Sequence, residues 1–543
     1  MPTTGVPTVE TAPEVIVPES FNLADYLVDR HVREGRGGRT AVLFGDEVIT
    51  YAQVKERTDR VANGLRALGV RREERVLLLL LDGPAFVYSF FAAQKIAAVP
   101  VPTNTLLKGP DYQYLLNDSR AAVAIVSEAL LPTVMAIPRA ELPHLRHIVV
   151  DGQAVPDTIP FLGLLRQPPQ ARLEETSRDD AAFWLYSSGT TGFPKGAVHL
   201  HHDVVHTVAL YAQGILRITE DDRTFSVAKL FFAYGLGNAL TFPFAVGAST
   251  VLWPGPPTAP NVYAQIGRYR PTLFFSVPTN YGMLLAHKGD GSEFDLGSVR
   301  QAVSAGEALP KALYDRFKER FGVEVLDGIG STETLHIFIS NRPGQVRPGS
   351  TGQLVPGYEA RLVDDAGQDV PDGTIGSLLI KGDSTCAYYW NKHERTKDTI
   401  QGHWIRTGDK YWRDPDGFYW YAGRADDMLK VGGIWVSPVE VETTLAEHAA
   451  VQEAGVIGRR DANDLEKPMA YVVLAAGHQP SEALAQELQD FVRQRIAEYK
   501  RPRWVEFVDA LPKTATGKTQ RFKLRESVAS ESVPELVVET DRG

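Results

Sequence analysis

The strongest constraint on the fold is an alternation between helix-like and strand-length segments. TYAQVKERTDRVANGLRALGV at 50–70 places apolar residues at three- and four-residue spacing, whereas RVLLLLL at 75–81 and AVAIVS at 122–127 are short continuous apolar runs. The same rhythm returns further along in STVLW, TLFFSV and KALYDRFKERFG. Alternating helices and buried strands are typical of parallel sheets covered by helices, so the sequence predicts an α/β fold.

Length and changes of pattern predict two domains with disordered ends. A chain of 543 residues is too long for a single hydrophobic core. From about 350 to 422, Gly, Asp and Pro turns separate short runs such as GSLLIKG, which is typical of β structure. The predicted bounds are a disordered arm over 1–20, a large N-terminal domain over 21–424 that includes the β-rich subdomain 350–422, a small C-terminal α/β domain over 425–527 and a disordered tail over 528–543.

Charge and hydropathy exclude several classes of partner. The formal net charge is −10 and there is no long run of Lys or Arg, so a nucleic-acid-binding surface is not expected. The most apolar stretch, VLLLLLDGPAFVYSFFAAQ at 76–94, is interrupted by Asp82, Gly83 and Pro84. It therefore predicts a strand, a turn and a helix rather than a membrane span. We expect neither nucleic-acid nor membrane partners.

Cysteine usage and the N-terminal residues favour a cytoplasmic location. The single cysteine, Cys386, can form neither an internal disulfide nor a thiolate metal cluster, which fits a reducing compartment. The first twenty residues lack a basic n-region and an apolar h-region, so no signal peptide is expected.

A loop rich in glycine and hydroxyl side chains, YSSGTTGFPKG at 186–196, is the first candidate site. It follows AAFWLY at 181–186, an apolar run of strand length, so the loop is expected to leave the end of a buried strand. Its backbone N–H groups and hydroxyls could surround phosphate oxygens, and Lys195 would add a positive charge. Pro194 before the lysine, with no Ser or Thr after it, breaks the Walker A pattern, so an ordinary kinase or GTPase is not supported. A solvated turn is the alternative.

Four further segments give this loop its context. They are DGIGSTET at 327–334, RTGD at 406–409, GRADDMLKVGG at 423–433 and LPKTATGKTQR at 511–521. Together with YSSGTTGFPKG, and in this order, they resemble the acyl-adenylate-forming superfamily, which includes the acyl-CoA synthetases, the adenylation domains of peptide synthetases and the luciferases. The resemblance extends from about residue 21 to 526 and implies ATP, Mg²⁺ and CoA as cofactors and co-substrates.

The resemblance implies a phosphate and magnesium site. The residues expected to hold the β and γ phosphates of ATP are Ser187, Ser188, Gly189, Thr190, Thr191, Gly192 and Lys195. Glu333 matches a Mg²⁺-associated glutamate, and one carboxylate plus phosphate oxygens is a normal ligand set for magnesium. Thr332 resembles a phosphate-contacting threonine. A solvated surface acid is the alternative interpretation of Glu333.

The resemblance also implies a nucleoside site. Asp409 resembles an aspartate that accepts both ribose hydroxyls, and Arg424 would support it unless it serves as a structural ion pair. The residues expected around adenine are Ala305, Gly306, Glu307, Asp327, Gly328 and Ile329. Family members often have an aromatic residue at the last of these positions, so isoleucine removes π stacking and leaves apolar contact.

Lys518 resembles the superfamily's catalytic lysine, because it lies in the PKTATGK context. Its ammonium would bridge the substrate carboxylate and the negative charge that develops on the α phosphate. The resemblance further implies that the C-terminal domain is mobile and rotates about a hinge at Asp426. That rotation would bring Gly432 and Gly433 to the site, where they leave room for the pantetheine arm of CoA.

KLFFAYGLGNALTFP at 229–243, followed by DGIGSTETLHIF, resembles the benzoate-CoA ligase branch of the superfamily. The residues that this implies for the acyl pocket are Phe232, Ala233, Tyr234, Gly330, His336, Ile337 and Lys430. Tyr234 and Ile337 would form flat apolar walls and Gly330 would leave depth for a ring. His336 could close the floor or bond a ring substituent, although a packed core histidine is the more frequent case. The implied reaction converts benzoate, ATP and CoA to benzoyl-CoA, AMP and pyrophosphate through an enzyme-bound benzoyl-adenylate.

Several alternatives share these motifs. A substituted benzoate, such as a hydroxy- or aminobenzoate, or another carboxylate could be the substrate, because one small group changes preference by only about 1–3 kcal/mol. A carrier-protein adenylating enzyme, a luciferase-type oxygenase and a non-catalytic ligand sensor are less favoured. No carrier module follows Lys518, and the segments that a sensor could lose are all present. Assembly as a homodimer is compatible with the sequence.

Overall fold

A computed structural model describes residues 12–187, 193–288, 295–364, 366–424, 429–432, 434–436, 438–512, 521 and 523–525. In chain order the strands are β1 (Thr40–Phe44), β2 (Glu47–Thr50), β3 (Arg75–Leu79), β4 (Val99–Pro102), β5 (Val123–Ser127), β6 (His147–Asp151), β7 (Ile159–Pro160), β8 (Ala181–Ser187), β9 (Lys195–Leu200), β10 (Arg223–Ser226), β11 (Ser249–Val251), β12 (Leu273–Ser276), β13 (Gln301–Ser304), β14 (Val325–Gly330), β15 (Ile337–Ser340), β16 (Gln353–Leu354), β17 (Glu359–Val363), β18 (Gly376–Lys381), β19 (Tyr388–Tyr389), β20 (Ile400–Gln401), β21 (Trp404–Arg413), β22 (Tyr419–Arg424), β23 (Leu429–Val431), β24 (Ile434–Val436), β25 (Val451–Arg460), β26 (Glu466–Leu474) and β27 (Trp504–Phe507). The α-helices are α1 (Arg30–Arg33), α2 (Tyr51–Ala67), α3 (Pro84–Lys95), α4 (Gly109–Ser119), α5 (Leu131–Met135), α6 (Phe161–Leu165), α7 (Asp203–Thr207), α8 (Ala233–Leu236), α9 (Phe242–Val246), α10 (Ala259–Tyr269), α11 (Pro278–Ala286), α12 (Lys311–Phe321), α13 (His393–Thr399), α14 (Pro438–Ala446) and α15 (Glu482–Arg495).

Two sheets confirm the predicted α/β class. One has the order β4-β3-β5-β6-β7 and is parallel throughout. The other has the order β16-β15-β14-β13-β12-β10-β11-β1-β2 and is parallel in its centre, with antiparallel pairs only at its two edges. Helices lie between most successive parallel strands, although residues 152–158 join β6 to β7 without one.

The predicted strand–turn–helix at 76–94 is confirmed and forms part of the core. β3 ends before a turn, and α3 begins at Pro84, where the missing N–H of proline has no partner to lose. α3 is buried from Ala85 to Lys95, so it is apolar on all faces rather than on one. Among the described residues, no helix is long and apolar enough to cross a membrane.

A third sheet, β19-β9-β8, holds the two strands that flank the glycine-rich loop. β8 is a buried strand, as predicted, but its partner β9 is antiparallel, and Ser187 pairs with Lys195. The loop therefore joins two antiparallel neighbours, whereas a typical phosphate loop joins a parallel strand to a helix.

Antiparallel pairing dominates the C-terminal third. β17, β18, β21, β20 and β22 form one antiparallel sheet, which lies almost entirely in the stretch predicted to be β-rich. β23 and β24 form a hairpin, and β25-β26-β27 form a sheet that packs with α14 and α15.

Residues 12–20 differ from the disordered arm predicted over 1–20. Val17 is buried, and its carbonyl accepts a hydrogen bond of 2.8 Å from Arg178 Nη1. Ser20 pairs with Ser177 in an isolated antiparallel bridge, and Val15 packs against the main core. Val15 and Val17 therefore pack against the folded domain while Ile16 between them is exposed, which the proline spacing in the sequence did not indicate.

Candidate active site

A cavity of about 630 Å³ is lined by all seven residues predicted for the acyl pocket and by part of the predicted nucleotide site. The predicted residues that line it are Ser187, Phe232, Ala233, Tyr234, Ala305, Gly306, Gly330, Thr332, His336, Ile337, Lys430 and Gly432. These residues come from strands β8, β14, β15 and β23 and from the segments beside α8 and β13. The volume is in the range of small-molecule sites.

The acyl part of the cavity has an aromatic floor around His336. The His336 ring lies 4.4 Å from the Phe242 ring, 5.3 Å from Tyr211 and 5.5 Å from Tyr234, measured between centroids. His336 Nε2 is 3.1 Å from Asn238 Oδ1. Burial lowers the pKa of His336 to about 3, so the ring is neutral near pH 7. His336 is thus a packed histidine that also lines the cavity. The sequence had offered a packed core histidine and a pocket residue as alternatives, and the structure is compatible with both.

Glycine is needed at position 330 for the close approach of two backbone segments, in addition to the depth that it would leave for a ring. A Cβ at this position would lie 2.5 Å from the carbonyl oxygen of His336 and 2.6 Å from its carbonyl carbon. β14 and β15 also change register between Ile329 and Gly330, so the two strands approach closely there. The glycine permits that approach.

We expect Gly330→Ala to lose most activity, because the new methyl group must push the His336 backbone and the ring floor away from their positions. The loss should exceed about tenfold, with a lower melting temperature, and steady-state kinetics together with thermal unfolding check it. Gly267→Ala is a matched control, because a Cβ there meets no atom within 4 Å. Wild-type kinetics for Gly330→Ala would contradict the assignment.

Ile329 is not among the residues that line the cavity, and its contact with adenine stays a prediction. Its side chain packs in the main core, next to the register shift between Ile329 and Gly330. It is 8% exposed and pairs with Ile339 on β15.

The other residues predicted around adenine divide between the wall and the interior. Ala305 and Gly306 line the cavity, whereas Asp327 is buried, and its Oδ2 accepts a bond of 3.3 Å from Leu309 N. Burial raises the pKa of Asp327 well above its usual range. The two remaining residues, Glu307 and Gly328, are not part of the lining; Glu307 lies near Thr279 Oγ1.

Asp409 and Arg424, predicted for the ribose, are backbone partners on adjacent strands. Asp409 is buried on β21, and its Cα partner in the antiparallel register with β22 is Arg424. Asp409 N donates to Thr407 Oγ1 over 3.1 Å. The pairing brings the two predicted residues together, and their contact with a ribose stays a prediction.

Glu333 and Lys195 form a charged cluster at the base of the glycine-rich loop. Lys195 Nζ is 3.5 Å from Glu333 Oε1, and Ser187 Oγ donates to the same oxygen over 3.1 Å. Burial alone would raise the pKa of Glu333, but Lys195, Tyr389 and Ser187 outweigh it and lower the pKa to about 2. Glu333 is therefore a carboxylate near pH 7, and burial lowers the pKa of Lys195.

The structure also places Tyr389, Asp82 and Lys229 at or beside the site, although no motif singled them out. Tyr389 OH contacts both Lys195 and Glu333. Asp82 and Lys229 line the cavity, and Asp82 Oδ1 accepts a bond of 3.0 Å from Leu230 N. Lys229 Nζ donates over 2.6 and 2.9 Å to the carbonyls of Trp253 and Gly255.

The remaining predicted residues lie outside the described part of the chain. They are Ser188, Gly189, Thr190, Thr191, Gly192, Asp426, Gly433 and Lys518.

Comparison with known proteins identifies the family of the chain. Residues 28–390 match the family model described as AMP-binding enzyme, and residues 440–518 match the one described as AMP-binding enzyme C-terminal domain. The chain belongs to the AMP-binding enzyme family. Its matched parts include the cavity-lining residues from Ser187 to Ile337.

Relatives within this family align over nearly the whole chain. A benzoate–CoA ligase of Thauera aromatica is 49% identical over 517 residues, which cover 95% of this chain and 98% of the relative. The crystal structure of the anthranilate CoA ligase AuaEII in complex with anthranoyl-AMP is 49% identical, with a TM-score of 0.75 and coverage of 94% and 98%. A benzoate CoA ligase from Burkholderia xenovorans LB400 is 47% identical, with a TM-score of 0.71 and coverage of 93% and 100%.

Proposed function

We propose that this AMP-binding enzyme is an ATP-dependent aryl-CoA ligase that converts benzoate, ATP and CoA to benzoyl-CoA, AMP and pyrophosphate. The observation that carries the proposal is the cavity, which has three kinds of wall. Tyr234 and His336 supply aromatic lining, Ser187 lines it at the end of β8 where the glycine-rich loop begins, and Lys430 and Gly432 line it from the β23–β24 hairpin. An aromatic acid, a nucleotide and a thiol would meet there. Similarity to benzoate and anthranilate CoA ligases supports the acyl group.

In the first half-reaction the benzoate carboxylate attacks the α phosphate of ATP in line, and pyrophosphate leaves. The floor around His336 would hold the ring, which fixes the carboxylate near the phosphate. Ser187, Thr332 and Lys195 would donate to phosphate oxygens, together with the loop that follows Ser187. Lys518 would bridge the carboxylate and the developing charge.

Glu333 fits a magnesium site because it is a deprotonated, partly buried carboxylate beside the glycine-rich loop. Among residues that the structure describes, no group of three or more His, Cys, Asp and Glu side chains could hold a metal ion. Phosphate oxygens would therefore supply further ligands. When bound, Mg²⁺ neutralises phosphate charge and favours pyrophosphate as a leaving group.

In the second half-reaction the CoA thiolate attacks the acyl carbonyl of the benzoyl-adenylate, and AMP leaves. Lys430 and Gly432 line the cavity at the β23–β24 hairpin. Gly432 has φ +58°, and a Cβ there would meet no atom within 4 Å, so this turn leaves space beside the cavity. We assign that space to the pantetheine arm.

A hydroxy- or aminobenzoate is the second candidate substrate. His336 Nδ1 is buried and has no hydrogen-bond partner within the described ranges. A neutral imidazole that uses Nε2 toward Asn238 could accept a bond at Nδ1 from a ring hydroxyl or amine. This observation keeps substituted benzoates beside benzoate.

AMP release with ATP, Mg²⁺ and CoA tests the proposal against benzoate, hydroxybenzoates, aminobenzoates, cinnamate, acetate and octanoate. We expect benzoate to lead, with turnover dependent on CoA and substituted benzoates within about 10- to 200-fold. A hydroxy- or aminobenzoate in first place would favour the second candidate. An aliphatic acid in first place would contradict the acyl-pocket assignment, and ATP binding without AMP release would favour a non-catalytic sensor.

A further inference from the structure

Tyr389 joins the two charged groups of the phosphate side through one hydroxyl. Lys195 Nζ donates to Tyr389 OH over 2.8 Å, and Tyr389 OH donates to Glu333 Oε1 over 2.7 Å. The ammonium also lies 4.2 Å from the centroid of the Tyr389 ring, a cation–π distance. The order of donors is fixed, because an ammonium can only donate and a carboxylate can only accept.

The surrounding structure holds the Tyr389 ring in place. Tyr389 is 2% exposed and lies on the edge strand β19, where it pairs with Ala197 of β9. Its backbone N–H donates to Thr396 Oγ1 over 3.1 Å. The hydroxyl therefore has little freedom to leave the two charged groups.

Lys195 and Glu333 form a loose ion pair in a largely enclosed site, and the attraction would close it to a short direct hydrogen bond if nothing stood between them. They are 3.5 Å apart, longer than the 2.7–2.9 Å of a charge-assisted hydrogen bond. The Tyr389 hydroxyl takes the short bond from each side instead. A direct pair would have to be broken before the ammonium could meet a phosphate and the carboxylate a cation.

We propose that Tyr389 is a positioning residue for adenylation, which rests on the proposed function. Its hydroxyl keeps Lys195 and Glu333 apart and oriented, so that both remain available to ATP and its magnesium ion. The hydroxyl is not consumed, and it transfers no group. Because it acts on the nucleotide side alone, it serves the first half-reaction and not the second.

Tyr389→Phe tests this role, because it removes the hydroxyl and keeps the ring, its packing and its cation–π contact. We expect the Kd of a non-hydrolysable ATP analogue, measured by calorimetry in the presence of Mg²⁺, to rise about 10-fold or more. The KM for ATP in benzoate-dependent pyrophosphate exchange should rise by a similar factor. The KM for benzoate and the rate of thioester formation from added benzoyl-AMP and CoA should stay within about twofold of wild type.

Tyr388→Phe is the matched control, because Tyr388 is the neighbouring residue on β19 and is 41% exposed. It should bind the nucleotide as the wild type does. Unchanged nucleotide affinity in Tyr389→Phe, or an equal loss in both half-reactions, would overturn the proposal. If the wild type shows no benzoate-dependent exchange, the proposed function fails, and the binding measurement still decides the role of Tyr389.

Discussion

Lys518→Ala should reduce benzoate-dependent pyrophosphate exchange by about 10²- to 10³-fold and leave thioester formation from added benzoyl-AMP and CoA near the wild-type rate. The lysine is assigned from its PKTATGK context and lies outside the described residues. Two unit charges 4 Å apart attract by about 4 kcal/mol at an effective dielectric of 20. Since about 1.4 kcal/mol corresponds to a factor of ten in rate, loss of the ammonium accounts for an effect of this size.

Lys523→Ala is the matched control, because it removes the same charge from an exposed position five residues further on. It should leave both half-reactions unchanged. The informative comparison is between the two half-reactions of one enzyme preparation, since misfolding would lower both. An equal loss of both steps in Lys518→Ala would contradict a role confined to adenylation.

The fold could be predicted where local pattern and burial agree. Strand β3, the turn at Gly83 and helix α3 follow from one apolar run interrupted by turn residues. The partner of β8 could not be predicted, because an apolar run does not reveal whether its neighbour is parallel or antiparallel. The glycine-rich loop therefore lies in a hairpin that its sequence did not specify.

The site could be predicted where a motif places several residues together, and missed where single residues meet from distant segments. The residues beside α8 and β14 line the cavity as the resemblance implied. A motif does not show how its residues are buried, because Ile329 packs in the main core while the next residue, Gly330, lines the cavity. Tyr389 is 56 positions from Glu333 and 194 from Lys195, and no local spacing indicates such contacts.

Lys95→Met should lower the free energy of unfolding by about 3–5 kcal/mol, because it leaves buried carboxylates without their shared cation. Lys95 is 1% exposed and contacts Asp29 over 2.7 Å and Asp59, both of which are buried. Burial raises the pKa of Asp29 even with Lys95 beside it, so removing the lysine makes the charged form costlier. None of the three lines the cavity, so substrate KM values at low temperature should be unchanged.

Urea unfolding followed by tryptophan fluorescence measures the loss, read on the transition of the N-terminal part because a chain of this size need not unfold in one step. Lys55→Met is the matched control: Lys55 also contacts Asp59, over 2.7 Å, but its side chain is 30% exposed, so the expected cost is at most about 1 kcal/mol. Adding Asp29→Asn and Asp59→Asn to Lys95→Met should recover much of the stability, since neutral amides no longer need the ammonium. If Lys95→Met costs no more than Lys55→Met, the cluster does not stabilise the fold through charge pairing, and the packing of α2 against α3 must carry that stability instead.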